Sequence, residues 1–193
     1  MNKLYLGIAL LALTGCGTVF NNSSQDVSFD SNVKGVEVYV NGIKACTTPC
    51  TYPIDRQSGS QVIIGRKAGY EEQQIVLKAS ISPVAIGNLT SAPSWITDLV
   101  TGGVWEYRRD GLYFEMKKAN ASHAENKLFN KQSPIRRYAL FNYPDLRMEA
   151  AAGNLEGDYI SGLAELTDSA PQELLSPILS SQTEVELAAI LTK

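Results

Sequence analysis

The stretch VEVYVNG, residues 36–42, alternates apolar and polar side chains and then ends in an Asn-Gly pair. Val36, Val38 and Val40 share one face of an extended chain, because successive side chains of a strand point to opposite sides. Asn41-Gly42 is a favourable pair for a two-residue hairpin turn, since both turn positions need a positive φ. The stretch therefore predicts a β-hairpin with one buried face.

Further strand and turn signals continue from this hairpin to residue 77. They comprise Tyr52 and Ile54, a polar turn at 56–59, the apolar run 62–64, a bend at 67–70 and a last apolar stretch at 74–77. With the Thr-Pro at 48–49 and the Ala-Gly-Tyr at 68–70, this order resembles the PEGA domain of bacterial surface proteins. The resemblance implies a small antiparallel β-module without assigned chemistry, often attached to a cell envelope. Residues 26–30, with Val27 and Phe29, predict an additional edge strand.

The first sixteen residues have the pattern of an export signal. One cation, Lys3, precedes a ten-residue apolar run, which is too short to span a bilayer. The run ends in Leu13-Thr14-Gly15-Cys16, which resembles the lipobox of bacterial lipoproteins. This resemblance implies a signal peptide at 1–15, diacylglycerol and palmitate on Cys16, and a lipid-anchored protein of the envelope. Gly17 is the residue that the family associates with sorting to the outer membrane.

Charge is unevenly distributed along the chain. Residues 16–118 carry ten acids and ten bases, whereas residues 119–193 carry ten acids and six bases. Residues 154–192 contain seven acids and no base. Such an acidic region argues against nucleic acid and against anionic lipid as partners of this part of the chain.

Two cysteines remain once Cys16 is assigned to lipid. Cys46 and Cys50 are close in sequence, and an exported protein meets an oxidising compartment, so a disulfide is the first expectation. Two buried free thiols are the alternative. A zinc site is not expected, because the single histidine, His123, lies far away in a polar stretch.

Residues 81–105 carry a single charge, Asp98. Prolines and glycines dilute this stretch too strongly for an ordinary membrane span. A buried crossover with one short helix at 94–101 is one interpretation. The other is a segment that dips into the membrane interface, with Trp95 and Trp105 at the level of the head groups.

The chain beyond this crossover shows a second strand-turn-strand pattern. Residues 104–107 and 112–116 flank an Asp-Gly pair, which predicts a second hairpin. Trp105, Tyr107 and Tyr113 are candidates for a ligand-binding aromatic strip, of the kind that sugar-binding surfaces use. Packing within the sheet is the alternative for the same three side chains.

The hydrophobic period then changes from two to about 3.6. Residues 119–132 have little periodicity and predict a linker, with His123 as a solvated residue. Ser133-Pro134 predicts the first helix of a bundle at 133–193, with Ile135, Tyr138 and Phe141 along one side. Pro144 restarts this helix, Gly153 ends it, and Thr183 caps the last helix. The expected fold class is α+β, with a tether at 16–25, a β-rich domain at 26–118 and the helical domain after the linker.

No set of residues in the sequence predicts catalysis, a metal site or a cofactor. The carboxylate pairs, such as Glu71-Glu72 and Glu184 with Glu186, fall on polar faces. Two functions remain. The first is a membrane-anchored envelope lipoprotein that acts as a structural or protein-interaction module, with another envelope protein as its partner. The second is a lipoprotein that binds cell-wall or surface glycan through the aromatic hairpin. An exposed apolar patch on the helices favours the first, and an exposed aromatic groove on the β part favours the second.

Overall fold

The computed structural model describes residues 23–83 and 102–193. The chain divides into two compact units, of which the first ends at Met116 and the second begins at Lys117. Within the described residues, the first unit is built from strands and the second from helices. The predicted α+β class is therefore confirmed. The helix predicted at 94–101 and most of the apolar crossover lie outside the described residues.

Within residues 23–83 and 102–116, the β unit contains eight strands in two sheets. They are β1 (Ser24–Ser31), β2 (Glu37–Val40), β3 (Ile43–Thr47), β4 (Cys50–Asp55), β5 (Ser60–Arg66), β6 (Gln73–Ile81), β7 (Trp105–Tyr107) and β8 (Gly111–Phe114). One sheet has the order β4-β1-β8, and the other has the order β3-β2-β5-β6-β7. Only the pair β1 and β8 is parallel among these strands.

The hairpin predicted around residues 41 and 42 is confirmed. Asn41 and Gly42 have φ values of 49° and 85°, as this turn type requires. Asn41 also accepts a hydrogen bond from the Val62 amide at 3.0 Å, so the turn is attached to β5. Val36 and Val38 are fully buried. The alternating pattern of the sequence therefore predicts correctly which face of this strand is buried.

The core of the β unit lies where the two sheets contact each other. Phe114 on β8 is fully buried and stacks on Phe29 of β1, with ring centroids 6.3 Å apart. Gly65 on β5 faces the same ring, since a Cβ at this position would lie 2.6 Å from Phe114 Cδ1. Glycine at position 65 thus allows the backbone of one sheet to approach an aromatic ring of the other.

Two strand predictions are wrong. Residues 26–30 belong to β1, which lies in the centre of its sheet and not at the edge. The second hairpin does not form, because β7 pairs with β6 while β8 pairs with β1 in the other sheet. The chain therefore crosses from one sheet to the other at 108–110, where the Asp110 carbonyl accepts a hydrogen bond from the Ser28 amide at 2.7 Å.

Two side-chain amides of the β1 segment explain this crossing. The Gln25 amide donates to the Tyr107 carbonyl and accepts from the Tyr107 amide, both at 2.9 Å. The Asn32 amide binds Met116 in the same way, at 3.0 and 2.8 Å. Both amides satisfy backbone groups of residues that flank β8. These hydrogen bonds to residues distant in sequence therefore decide the path of the chain, and the Asp-Gly pair does not form a hairpin turn.

The predicted bridge between Cys46 and Cys50 is present, with Cα atoms 6.3 Å apart. Cys46 lies on β3 and Cys50 on β4, which are edge strands of different sheets. Between them, Thr48 is buried, and its hydroxyl oxygen accepts a hydrogen bond from the Val36 amide at 3.1 Å. The disulfide therefore fastens the point at which the chain passes from one sheet to the other.

Replacing both Cys46 and Cys50 with serine is expected to lower the free energy of unfolding of the β unit by about 2 kcal/mol, because the bridge closes a short loop. Tryptophan fluorescence during urea unfolding measures this loss, since both tryptophans precede residue 117. Wild-type protein treated with a reductant is the control and should lose a similar amount. Unchanged midpoints in both samples would contradict the prediction.

The helical unit contains four helices within the described residues. They are α1 (His123–Ala152), α2 (Asp158–Thr167), α3 (Pro171–Ser180) and α4 (Glu184–Leu191). Their buried side chains form one cluster, comprising Ile135, Ala139, Leu146, Ala150, Ile160, Leu163, Leu174, Ile178, Leu187 and Ala188. The predicted helix end at Gly153 and the predicted cap at Thr183 are both confirmed.

The start of α1 differs from the prediction. The helix begins at His123, so residues 123–132 are not a linker and Pro134 lies inside the helix. Ser122 accepts a hydrogen bond from the Glu125 amide at 3.3 Å, and Glu125 accepts one from the Ser122 amide at 2.8 Å. This capping box is the true start signal. The prediction based on Pro134 therefore placed the start of the helix about three turns too late.

The pKa of Glu125 is lowered from 4.5 to about 2, first by its hydrogen bond to Lys118 and then by those to Ser122. Because the folded pKa is the lower one, the contribution of the ionised carboxylate to the helix start is complete above pH 4.5. It is lost as the pH falls towards about 2. The hydrogen exchange of the Ser122 amide with solvent should therefore become faster as the pH falls from 4.5 towards about 2. NMR can measure this exchange rate. A Glu125→Gln variant should show no such step.

Arg147 of α1 binds the end of α3. Its Nη1 donates hydrogen bonds to the carbonyls of Ile178, Leu179 and Ser181, at 3.3, 3.0 and 2.8 Å. The last carbonyls of a helix have no partner within the helix, and a cation there also interacts favourably with the helix dipole. One side chain of α1 thus supplies hydrogen bonds to carbonyls at the C-terminus of α3.

Glu149, two residues later, binds the start of α2. Its carboxylate accepts hydrogen bonds from the amides of Tyr159 and Ile160, at 3.4 and 2.8 Å. The residue at the N-cap position of α2 is Gly157, which offers no side chain for capping. A Cβ at position 157 would occupy the place of the Glu149 carboxylate. Glycine is therefore required here so that the cap can come from another helix.

Candidate interaction surface on the helical unit

A groove of about 630 Å³ lies on the surface of the helical unit, between the first half of α1 and the end of α2. Its lining includes Asn130, Pro134, Arg137, Tyr138, Phe141 and Leu166. The volume is within the range of about 300–1,000 Å³ that is usual for small-molecule and cofactor sites. We call this feature the α1 groove.

The floor of the α1 groove is set by close contact between α1 and α2. The Tyr138 hydroxyl donates a hydrogen bond to the Tyr159 carbonyl at 3.2 Å. A Cβ at Gly162 would collide with the same hydroxyl, so glycine allows the two helices to approach. Burial raises the pKa of Tyr138, and the nearby Glu149 raises it further. The hydroxyl therefore remains protonated and acts as a hydrogen-bond donor.

A kink in α1 lies at the end of the α1 groove. Asn142 leaves the helical conformation, with φ −113° and ψ 15°, and its side chain donates to the Tyr138 carbonyl at 3.0 Å. Pro144 has no N–H to continue the helical hydrogen bonds. The predicted restart of the helix at Pro144 thus corresponds to this kink.

Phe141, just before the kink, is exposed over 66% of its surface. The sequence pattern placed it with Ile135 and Tyr138 along one side of the helix, whereas Ile135 is buried and Phe141 is exposed. Each step of three residues falls about 60° short of a full turn, so Phe141 lies about 120° around the helix from Ile135. A large aromatic side chain therefore stands at the rim of the groove and contacts solvent.

Other exposed apolar side chains occur on both units. Leu128 and Met148, also on α1, are 54% and 64% exposed. On the β unit they are the aliphatic residues Ile43, Val76 and Ile81. Among the described residues, only Phe141 combines an exposed aromatic ring with an adjacent groove.

The predicted aromatic strip on the β unit does not form. Tyr107 is only 2% exposed, and its hydroxyl donates to the Asp55 carbonyl at 2.8 Å while it accepts from the Gln61 amide at 3.0 Å. Trp105 is half-buried on the same strand, whereas Tyr113 lies on β8 in the other sheet. The alternative of packing is therefore correct for Tyr107, and the three rings do not share one strip.

The remaining predicted positions have simple roles where the structure describes them. Glu72 pairs with Arg66, and Glu186 accepts a hydrogen bond from the Gln182 amide at 2.7 Å. His123 is exposed at the start of α1. Across residues 23–83 and 102–193, no group of three potential ligands is placed to hold a metal ion. Cys16 lies outside the described residues.

In the same two ranges, none of the helices has the length and the apolar content that crossing a membrane requires.

Comparison with known proteins finds no match among curated proteins and none among solved structures. Residues 24–79 match the family model of the PEGA domain. The predicted resemblance is confirmed for this part of the chain. The matched range begins at Ser24, which is also the first residue of β1. PEGA domains are often extracellular or periplasmic modules.

Proposed function

We propose that this protein is a lipid-anchored lipoprotein of the bacterial envelope that acts as a non-catalytic protein-interaction module. In this proposal, acyl chains on Cys16 hold the chain at the membrane, in the outer membrane by the sorting residue Gly17. Residues 24–79, which match the PEGA domain, follow this anchor in the chain. The helical unit then binds another envelope protein.

Three observations support the envelope location. The family match of residues 24–79 is to a domain that is often extracellular or periplasmic. The disulfide between Cys46 and Cys50 is stable in an oxidising compartment. The chain also begins with the signal-like run that ends in Leu13-Thr14-Gly15-Cys16. Two or more acyl chains at Cys16 would provide stable anchoring, which one chain does not.

The observation that carries the interaction function is the α1 groove with Phe141 at its rim. An aromatic side chain beside a pocket is typical of the central contacts of protein interfaces. In the described part of the β unit the predicted aromatic strip is not formed, because Tyr107 is buried in the core. The exposed aromatic surface of the described residues is therefore on the helical side of the chain.

Mass spectrometry of the protein from native membranes tests the anchor. The expected chain begins at Cys16 and carries a diacylglycerol and palmitate. A Cys16→Ala variant should remain unprocessed or leave the membrane fraction. An unmodified chain that begins elsewhere would refute the lipid anchor without affecting the helical interaction site.

Cross-linking in intact cells, followed by capture from solubilised envelopes, tests the interaction site. Phe141→Ser should reduce cross-linking to partner proteins, whereas Leu128→Ser is a matched control outside the groove lining and should not. Sedimentation with purified peptidoglycan tests the competing glycan function. Retention on peptidoglycan together with equal cross-linking of both variants would refute the proposal.

A further inference from the structure

The chain enters the β unit at an end where strands of both sheets begin or end. The Arg56 amide donates a hydrogen bond to the Ser23 carbonyl at 2.7 Å, so the end of β4 lies beside the start of β1. The Ala79 amide donates to the Gly59 carbonyl at 3.1 Å, which places β6 beside the start of β5. The start of β7 lies here too, because Arg56 Nη1 donates to the Trp105 carbonyl at 3.4 Å. We call this part of the β unit the entry end.

Two apolar side chains are cross-strand neighbours at the entry end. Ile81 on β6 and Trp105 on β7 are register partners. Ile81 is exposed over 48% of its surface, and Trp105 is half-buried. In the sequence they are the first and the last residue of the weakly charged stretch 81–105. The fold thus brings the two ends of that stretch together as a partly exposed apolar pair.

The chain before β1 limits how far the entry end can lie from a membrane that holds Cys16. Ser23 follows Cys16 by seven residues, and such a segment spans at most about 25 Å. The eight residues of β1 then rise by about 26 Å towards the opposite end of the strand. Acyl chains on Cys16 would therefore hold a lipid surface within reach of the entry end, whereas the other end of β1 can lie about twice as far away.

We propose that the entry end contacts the lipid surface, with Ile81 and Trp105 at the level of the head groups. Tryptophan favours this region of a bilayer, because its ring is apolar and its N–H is polar. The exposed part of Ile81 leaves water in the same contact, which is favourable for an aliphatic side chain. This inference rests on the proposed function, since it requires the lipid anchor at Cys16.

Charged side chains of both signs lie around this apolar pair. Arg56 and Lys78 are basic, whereas Asp55 and Glu106 are acidic, and all four belong to the strand segments that meet at the entry end. A mixture of this kind gives little net attraction to anionic head groups. The contact is therefore an apolar one, and it should form on zwitterionic lipid and persist at high salt.

Quenching of Trp105 fluorescence by brominated lipid tests the contact. The acylated chain is purified from membranes and reconstituted into phosphatidylcholine vesicles. It carries Trp95→Phe, so that Trp105 is its single tryptophan. Bromine atoms near the glycerol end of the acyl chains quench a ring that lies beside them. Emission from Trp105 should therefore be lower in brominated than in unbrominated vesicles, at low and at high salt.

Ile81→Ser and Val76→Ser are matched variants, because both residues lie on β6 and both are 48% exposed. Val76 pairs with Val62, away from the entry end. Ile81→Ser should shift the balance between quenched and unquenched Trp105 about fivefold towards the unquenched state, as expected when half an isoleucine side chain is no longer buried. Val76→Ser should leave the quenching unchanged. Urea unfolding shows whether each variant is folded, and quenching of the parent protein tests the contact without them.

Two results would overturn the contact. These are an acylated, anchored chain whose Trp105 is not quenched, or equal quenching with and without Ile81→Ser. Either result leaves the lipid anchor and the helical interaction site standing, because neither depends on the entry end. A photoreactive side chain at position 81 that cross-links to another envelope protein, while Trp105 stays unquenched in vesicles, would show that this end binds a protein instead. Absence of acyl chains on Cys16 would refute the anchor and this contact together.

Discussion

Replacing Phe114 with alanine is expected to lower the free energy of unfolding of the β unit by about 3–5 kcal/mol. The ring is fully buried, stacks on Phe29 and covers the backbone at Gly65. Its removal leaves a cavity where the two sheets meet, and a backbone without side chain at Gly65 cannot fill it. The loss is therefore near the upper end of the range for core truncations.

Urea unfolding followed by tryptophan fluorescence measures this effect, because both tryptophans lie in the first unit. Tyr113→Ala is the matched control on the same strand, where the side chain is half-buried, and a clearly smaller loss is expected. A Phe114→Ala variant as stable as Tyr113→Ala would mean that the two sheets do not pack on this ring.

Replacing Glu149 with alanine is expected to lower the free energy of unfolding of the helical unit by about 1.5–3 kcal/mol, the usual value for hydrogen bonds to a charged group. The carboxylate accepts from the amides of Tyr159 and Ile160 at the start of α2, and Gly157 provides no substitute cap. Without Glu149, these amides lose their acceptor and the helix dipole loses its anion.

Circular dichroism at 222 nm during urea unfolding reports this change, since the described helices are in the second unit. Glu156→Ala is the matched control, because Glu156 is an exposed acid in the same connection between α1 and α2. Gly157→Ala should destabilise as well, because its Cβ displaces the Glu149 carboxylate. Little effect of Gly157→Ala in a Glu149→Ala background would show that the two residues act through one contact.

Local signals in the sequence predicted the elements that depend on a few neighbouring residues. Asn41-Gly42 specified its hairpin because both residues tolerate a positive φ. Gly153 ended α1 for the same reason, and Thr183 capped α4 through its own side chain. The disulfide between Cys46 and Cys50 was predictable because the cysteines are close in sequence and the chain carries an export signal.

Other local sequence signals predicted the wrong element where hydrogen bonds to other residues decided the structure. Asp110-Gly111 resembles a hairpin turn, but Gln25 and Asn32 bind the backbone on both sides of β8 and place it beside β1. Pro134 resembles a helix start, but the capping box at Ser122 begins the helix earlier. In both cases the sequence contained the deciding residues, although not the information that they would meet.

The sequence by itself determined the α+β class, the change from strands to helices, the PEGA-like hairpin and the disulfide, because each depends on short-range periodicity, turn chemistry or cysteine spacing. Only the tertiary structure decided the surface that the protein presents. It buried Tyr107 through hydrogen bonds to Asp55 and Gln61, and it turned Phe141 outward beside the α1 groove. Whether an aromatic side chain lies inside or outside depends on the elements packed around it, and those contacts join residues that are far apart in the chain.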